Sequence, residues 1–288
     1  MKSPKPNVDA VSGSLAVTQA CTSEFAALAQ ALLREPTADA LHDYRISLRR
    51  LRVAVRNYCA ASSPALKPGL LDELRLLSRQ SGIARNWHVF VDETLDVLAR
   101  EPSSLPITRL RRAAQKQGEQ ALQACVDAIS QPAFRHVIES LRELGSDQAR
   151  ATIDGSEVTL EQHALKLLRK QHRRVRKLWR QRARLSDEAL HELRKRFKKL
   201  RYTVEFFGPL FDEAATARYV KQLKLIQSHL GQLQDQSVAR ELASDPVLTN
   251  TDAPAAALVE GWALSSLRCE RGRLATLRLG HSLRPWKH

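Results

Sequence analysis

One motif occurs twice in this sequence, and the repeat constrains the fold more than any other feature. The pattern H-x-x-R-x-x-x-[RK]-[RK]-x-R begins at His42 and again at His191, 149 residues later. A second pair of similar segments begins at Gly82 and Gly231, with the same separation. Two pairs of similar segments with the same separation indicate an internal duplication, in which both copies fold as the same unit.

The repeated unit is predicted to be helical. Glycine is scarce, β-branched runs are short, and Leu and Ala recur at spacings of three and four residues. Breaks that contain proline or glycine divide the chain into about eight long helices, four in each half. We expect an all-α protein made of two four-helix bundles, residues 14–147 and 156–286, related by a pseudo-twofold axis. Residues 1–13 are expected to form a mobile N-terminal segment.

The duplication also predicts matching local structure. Thr37 and Ser186 occupy equivalent positions before the two motif helices, and both residue types are good N-caps. After the paired glycines, Asn86 and Asp235 are expected to cap the helical segments that follow. The glycines themselves are expected to permit close helix packing or a kink, and not to contact a ligand.

The basic residues of each motif helix are predicted to form one stripe. At 100° per residue, those of the first helix fall within roughly 80°. The stripes consist of His42, Arg45, Arg49, Arg52 and Arg56, and of His191, Arg194, Lys198 and Arg201. The apolar faces beside them consist of Tyr44, Leu48, Leu51, Val55 and Tyr58, and of Leu193, Phe197, Leu200, Val204 and Phe207. Cations that adjoin an apolar face indicate a crevice between helices, where anions bind more strongly than on an open surface.

Glu205 stands where the first stripe has Arg56. It is predicted to pair with Arg201 one turn earlier, although it could instead mark the end of the basic tract.

The net charge of +15 and the sequence pI near 10.1 favour a polyanionic partner. Residues 166–201 hold 16 Lys and Arg against three acidic groups, and this density indicates a ligand. His163 and Arg180 are predicted to lie on the same basic side. The further candidates for anion contact are Arg50, Lys195 and Lys199 in the motifs, Arg75, Arg79, Lys221 and Lys224 on the helices that lead to the glycines, and Lys166, Lys170, Arg173, Arg174 and Lys177. Arg85 is a weaker candidate.

Other classes of function find little support in the residues. The four cysteines lack metal-ligand spacing, and no run of about 18 apolar residues is present. There is no GxxxxGK[ST] loop, no acidic metal cluster and no HExxH helix. We therefore expect a cytoplasmic protein that is not an enzyme, holds no cofactor or metal, and does not insert into membranes.

The duplicated motif, the segment Arg201-Tyr202-x-x-Glu205 and the segment Leu230-Gly231-x-Leu233-x-Asp235 together resemble the CHAD family, the conserved histidine α-helical domain. The resemblance covers residues 14–286. It implies two four-helix bundles, a basic central surface or pore, and binding of inorganic polyphosphate, often at intracellular polyphosphate granules. It also implies anion contact by His42, Arg45, Arg49, Arg52, His191, Arg194, Lys198 and Arg201. The chain differs from the family at Asn86 and Gln234, and it lacks the ExExK signature of fused relatives, which predicts a stand-alone binder.

Two other functions remain open from the residues. A general polyanion-binding or nucleic-acid-binding protein would need the same charge, but only 15 aromatic residues are available for base stacking. A phosphotransfer or polyphosphate-cleaving enzyme is suggested by the two histidines alone.

Overall fold

The structure is a computed structural model that describes residues 8–62, 66–100, 107–144, 158–278 and 284–286. In chain order the helices are α1 (Ala10–Arg34), α2 (Ala38–Ser62), α3 (Leu70–Val89), α4 (Asp96–Ala99), α5 (Thr108–Ser130), α6 (Pro132–Glu143), α7 (Leu160–Trp179), α8 (Asp187–Phe207), α9 (Glu213–Ala243), α10 (Pro246–Thr251) and α11 (Ala253–Thr276). The described elements are helical throughout, so the all-α prediction is confirmed.

The two motif helices begin where the sequence predicts. The backbone N–H of Ala40 donates to Thr37 Oγ1 at 3.2 Å before α2, and that of Ala189 donates to Ser186 Oγ at 3.3 Å before α8. Each bond satisfies one of the amides that a helix leaves without an internal partner at its start. Helix α1 begins at Ala10, four residues earlier than the boundary predicted from the sequence.

Several of the expected long helices are interrupted. A π-helical segment, Phe90–Leu95, joins α3 to α4, and the chain bends at Pro132 between α5 and α6. A short α10 precedes α11 in the second half. If each interrupted pair is counted as one long helix, the described residues form the expected four long helices in each half. The loop predicted to join the halves, residues 146–156, lies outside the described residues.

The predicted caps that follow the glycines are wrong. Asn86 lies inside α3 and Asp235 lies inside α9, and both helices continue past these residues. The sequence rule for caps does not apply here because the apolar pattern of each helix continues on both sides of the polar residue. Both side chains are half-buried.

Three clusters of buried apolar residues hold the fold together. The first lies mainly within α1, α2, α3, α5 and α6 but also includes residues of the second half, namely Leu160 and Ala164 of α7 and Tyr202, Phe206 and Phe207 of α8. The second lies among α7, α8, α9 and α11. The third combines Leu95 and its neighbours in the first half with residues such as Val259 in the second. The two halves therefore share cores.

The two motif helices bury the apolar faces that the sequence predicts. All ten of the residues assigned to these faces are buried. At the crossing of α2 and α8, Asn57 Nδ2 donates to Thr203 Oγ1 at 3.3 Å, and both side chains are buried. A buried polar group without a partner is costly, so this bond favours one arrangement of the two helices.

The shared third core gives the first testable prediction. Leu95 is fully buried in it, whereas Val97, two residues later, is 39% exposed. Replacing a buried Leu by Ala removes apolar contacts and leaves a cavity, so Leu95→Ala should lower the free energy of unfolding by about 2–5 kcal/mol. The matched control, Val97→Ala, should change it by less than about 0.5 kcal/mol. Urea unfolding measures both, and equal effects would argue against a core shared by the two halves.

Candidate functional site

Cations from the two motif helices meet where α2 and α8 pack together. We call Arg45, Arg49, Arg194 and Lys198 the central cluster. Lys198 shows their proximity most clearly. Burial, together with the positive charges of Arg49 and Arg194, lowers the pKa of its ammonium to about 5. The stripes thus approach each other, as a site formed between the two helices requires.

Arg45 occupies a space that the first repeated glycine leaves open. A Cβ atom at Gly82 would lie 3.2 Å from Arg45 Nη1, which also donates to Ser81 Oγ at 3.5 Å. Burial lowers the pKa of the guanidinium to about 10, and the nearby charges of Arg49 and Arg85 contribute in the same direction. The glycine therefore makes room for a site residue, in addition to the packing role predicted for it.

The central cluster has little negative charge of its own. In the part of the chain that the structure describes, none of its four residues forms an ion pair with a carboxylate. The buried Nε of Arg194 also has no hydrogen-bond partner among the described residues. Buried polar groups are normally satisfied, so this arrangement favours an anionic ligand.

Asp235 is the carboxylate that influences the cluster most. Burial raises its pKa, and the positive charges of Arg194 and Lys198 oppose that rise. In turn, Asp235 partly offsets the lowering of the pKa of Arg194 and Lys198. One half-buried acid close to several cations leaves a net positive field in the crevice. Sequence reasoning missed this role, because it assigned Asp235 to a helix cap.

The two motif histidines have different partners. Burial lowers the pKa of His42, and the positive charge of Arg85 lowers it further. His191 Nδ1 hydrogen-bonds to Gln234 Oε1, the residue at the position equivalent to Arg85. Because an amide oxygen only accepts, His191 donates from Nδ1 and keeps Nε2 for another contact. Burial is the main cause of the lowered pKa of His191 as well.

A second group of cations continues from the cluster along α2 and α8. We call Arg52, Arg56 and Lys199 the bridging cations. Burial lowers the pKa of Arg52 to about 10, with Arg56 as the next cause. Burial also lowers the pKa of Lys199, followed by the charges of Arg56, Arg174 and Lys170. The last two residues belong to α7, so the bridging cations reach from the motif helices to a third helix.

Helix α7 presents a row of exposed cations, as predicted. The α7 row consists of Lys166, Lys170, Arg173, Arg174 and Lys177. The assignment of His163 to this side is wrong, because its side chain is buried, and burial lowers the pKa of the imidazole. The helical pattern alone did not distinguish the edge of the basic face from the packed face beside it.

The remaining candidates lie away from the central cluster or have acidic partners. Arg50 Nε lies 3.6 Å from a carboxylate oxygen of Glu24 on α1, and its guanidinium lies over the Phe206 ring. Arg75 pairs with Asp72 but remains close enough to lower the pKa of Arg52. Lys195 pairs with Glu192 at 3.7 Å. Three further candidates on α3 and α9 are exposed to solvent: Arg79, Lys221 and Lys224.

Arg201 makes the pair that the sequence predicts. Its Nη1 donates to Glu205 Oε1 at 2.8 Å, and its Nε donates to Gln227 Oε1 at 2.9 Å. The prediction that Glu205 pairs with Arg201 is therefore confirmed. These bonds hold the guanidinium at the edge of the site. Because it already donates to a carboxylate, it attracts an added anion less strongly.

Part of the dense basic segment has a structural role that the sequence did not reveal. Arg182 donates to the backbone carbonyls of Leu274, Ala275 and Leu277, at 2.6–2.9 Å, where α11 ends. The final carbonyls of a helix have no internal partners, so a guanidinium there completes the helix end. The charge count of 166–201 therefore overstates the number of cations that a ligand could contact.

The described ranges hold neither a candidate metal site nor a candidate membrane-spanning helix. No group of three or more His, Cys, Asp or Glu side chains could hold a metal ion there. None of the helices within those ranges is both long and apolar enough to cross a membrane.

Lys198 gives a second prediction, about pH and stability. Its pKa is about 5 in the folded protein against an ordinary 10.5, so between these pH values the unfolded chain binds more protons. The free energy of unfolding therefore gains a contribution that rises with pH in that window. Lys198→Met should reduce the slope by up to about 1.4 kcal/mol per pH unit, measured by urea unfolding across neutral pH.

The exposed Lys195 on the same helix provides the control for this measurement. Lys195→Met should leave the slope of the wild-type protein almost unchanged, because the side chain of Lys195 is exposed and Lys198 stays in place. If Lys198→Met also left the slope unchanged, Lys198 would be charged in the free protein.

Comparisons with known proteins identify a family for this chain. Residues 16–244 match the CHAD domain family. Two curated relatives, the uncharacterized proteins MT2285 and Rv2226 of two Mycobacterium tuberculosis strains, are each 29% identical over 232 residues. The matches cover 76% of this chain and 43% of each relative, so the chain spans less than half the length of these relatives.

Two solved structures share the fold. The CHAD domain from the plant Ricinus communis superimposes with a TM-score of 0.79 at 24% identity, covering 96% of this chain and 95% of that one. PptA from Streptomyces chartreusis has a TM-score of 0.71 at 16% identity, covering 94% and 98%. These two likenesses show the shared fold, and the match over residues 16–244 shows that the chain belongs to the CHAD domain family.

Proposed function

We propose that this protein is a non-enzymatic module that binds inorganic polyphosphate through the central cluster. The observation that carries the proposal is the meeting of like charges from α2 and α8 without a paired carboxylate among the described residues. Such a crevice favours a ligand that brings its own negative charge. The CHAD resemblance, which implies polyphosphate binding, supports the same choice, and it extends the proposal to a location at polyphosphate granules.

Polyphosphate suits the crevice because every unit carries charge and acceptor oxygens. Arg and Lys recognise such groups by charge-assisted hydrogen bonds, each worth roughly 1.5–3 kcal/mol before ordering costs. Arg45 and Arg194 can each offer several donors, and Lys198 offers a compact charge. Binding an anion would also favour the protonated form of Lys198, so the ligand should bind together with a proton.

Nucleic acid fits the described surface less well. Proteins that bind single strands stack bases on exposed aromatic rings. The exposed large apolar side chains of the described ranges are all aliphatic, among them Leu76, Ile83 and Leu225. The half-buried central cluster would also have to admit bases, which a linear phosphate polymer lacks.

The third prediction tests the site by charge reversal. In Arg49→Glu/Lys198→Glu, two contacts become repulsive, so affinity for long-chain polyphosphate should fall by at least about a hundredfold. The control, Arg112→Glu/Lys116→Glu, also replaces one Arg and one Lys by Glu, on the exposed face of α5. It should change the affinity by less than about threefold. Fluorescence anisotropy gives the affinities, and circular dichroism verifies that both variants stay helical.

Competition separates the proposal from general polyanion binding. Labelled long-chain polyphosphate is bound to the wild-type protein and then challenged with DNA and RNA across a salt series. Polyphosphate should win at physiological salt when competitors are compared per charge. Equal competition would support a general polyanion or nucleic-acid binder and would remove the main support for the polyphosphate reading.

A fourth prediction addresses the enzyme alternative. His42→Ala and His191→Ala should weaken polyphosphate binding modestly, by about tenfold or less, because each removes one neutral donor from the crevice edge. Neither the wild-type protein nor a variant should release orthophosphate, with or without added Mg²⁺. Metal-dependent release by the wild-type protein that is lost in either variant would instead establish catalysis.

A further inference from the structure

Lys198 is the only amine among the four members of the central cluster. It shares the crevice with three guanidinium groups, those of Arg45 and Arg49 on α2 and that of Arg194 one turn earlier on α8. A guanidinium keeps its proton in proteins, whereas a lysine ammonium loses its proton more readily. Where these four groups crowd together, the lysine is therefore the one that becomes neutral.

The surroundings of Lys198 contain little that would hold its proton. The charged groups that face it are the three arginines and Asp235 of α9, which only partly offsets them. Among the described residues, no hydrogen bond or ion pair is found for its Nζ. With a pKa of about 5, the amine is almost entirely unprotonated at neutral pH. An ordinary lysine is unprotonated in only about one molecule in a thousand at pH 7.5.

The amine of Lys198 is also within reach of dissolved reagents. Its side chain is half-buried, so solvent still touches it in the crevice. A lysine that neighbouring cations keep neutral, and that solvent can reach, is a nucleophile.

The neighbouring arginines select the reagents that approach this amine. They attract phosphate groups, and the buried Nε of Arg194 has no hydrogen-bond partner among the described residues. An acyl phosphate carries a phosphate group and a reactive carbonyl carbon joined by one oxygen. If guanidinium groups hold the phosphate, the carbonyl carbon lies near the amine, and this proximity speeds the reaction.

We propose that Lys198 is a site of acylation by small acyl phosphates, such as acetyl phosphate. The amine nitrogen attacks the carbonyl carbon and forms an amide, while the bond between that carbon and the bridging oxygen breaks. Orthophosphate leaves and takes the proton that the nitrogen releases, so the step balances without an oxidant or a further reactant. The positive arginines stabilise the negative charge that develops on the carbonyl oxygen during the attack.

Acylation converts the amine of Lys198 into an amide, which cannot take up a proton. Under the proposed function, the modified protein loses the proton uptake that accompanies polyphosphate binding, so the modification should weaken that binding. This consequence rests on the proposed function, whereas the acylation itself requires only that the crevice attract a phosphate group.

Acylation rates at individual lysines test the proposal. The wild-type protein is incubated with acetyl phosphate at about pH 7.5, and mass spectrometry of proteolytic peptides gives the initial rate at each lysine. Lys198 should react at least about tenfold faster than the exposed Lys195 and Lys116, because nearly all of its amine is unprotonated. An equal or lower rate at Lys198 would overturn the proposal.

The pH profile of the rates shows whether the amine is neutral. Between about pH 6.5 and 8.5 the rate at Lys198 should stay nearly constant, whereas the rate at Lys195 should rise about tenfold per pH unit. A tenfold rise per unit at Lys198 would mean that it is charged in the free protein, and the proposal would then be wrong.

A double variant tests the role of the neighbouring guanidinium groups. Arg49→Gln/Arg194→Gln should lower the acylation rate at Lys198 at least about fivefold, because the phosphate is held less well and the ammonium is repelled less. The matched control, Arg109→Gln/Arg112→Gln on the exposed face of α5, should leave the rate unchanged. Circular dichroism verifies that both variants are helical. Equal rates in the two variants would overturn the proposal.

A reagent without phosphate tests how the acyl donor is held. Acetic anhydride should favour Lys198 over Lys195 less strongly than acetyl phosphate does. The same preference with both reagents would show that the arginines do not hold the phosphate, which would overturn an acyl phosphate as the donor that this site selects.

A last measurement keeps this proposal separate from the proposed function. Saturation with long-chain polyphosphate should protect Lys198 from acylation but should not protect Lys116. Selective acylation of Lys198 without this protection would uphold the acylation site and contradict the proposed function. Protection without a preference for Lys198 in the free protein would do the reverse.

Discussion

The packing of α2 against α8 is the interaction on which the candidate site depends. In each helix the cationic stripe adjoins the apolar face, so burying the apolar face draws the neighbouring cations partly out of water. Burial of apolar surface contributes about 25 cal/mol per Å², and the shared cores supply it along both helices. That contribution offsets the repulsion among Arg45, Arg49 and Arg194 and the cost of holding Lys198 without its proton at neutral pH. The free protein therefore holds its binding groups in place before a ligand arrives, which lowers the ordering cost of binding.

The two copies of the motif differ in the charged residues that lie near the central cluster. In the second copy Asp235 supplies a carboxylate that offsets the charges of Arg194 and Lys198, whereas the equivalent residue of the first copy is the neutral Asn86. Conversely, the first copy has Arg85 where the second has Gln234. Arg85 lies 3.8 Å from Glu93 Oε1, and its charge also lowers the pKa of Asp235. The residues in which the two copies differ therefore act on one another, although the two stripes are nearly the same in sequence.

Sequence periodicity predicts the stripes and the apolar faces well because both follow from the geometry of a single helix. The N-caps at Thr37 and Ser186 are predictable for the same reason, since the cap bond spans only three residues. The burial of His163, the hydrogen bond between Asn57 and Thr203, and the bonds of Arg182 to the end of α11 depend on residues far apart in the chain. No local pattern encodes such contacts. The pseudo-twofold relation of the halves and the ends of the domain stay predictions.

The combination of a half-buried cluster and an exposed row has a consequence for selectivity. Exposed cations attract any polyanion, and their contribution depends on charge density and salt more than on shape. Half-buried cations such as Arg194 add a requirement for shape, because the ligand must leave water and fit between α2 and α8 to satisfy them. A flexible chain of phosphates meets both conditions along its whole length. A nucleic acid meets the first through its backbone but brings bases, for which the described surface offers no exposed aromatic partner. Under the proposed function, selectivity should therefore arise in the crevice, whereas the attraction of the exposed row should fall as salt is added.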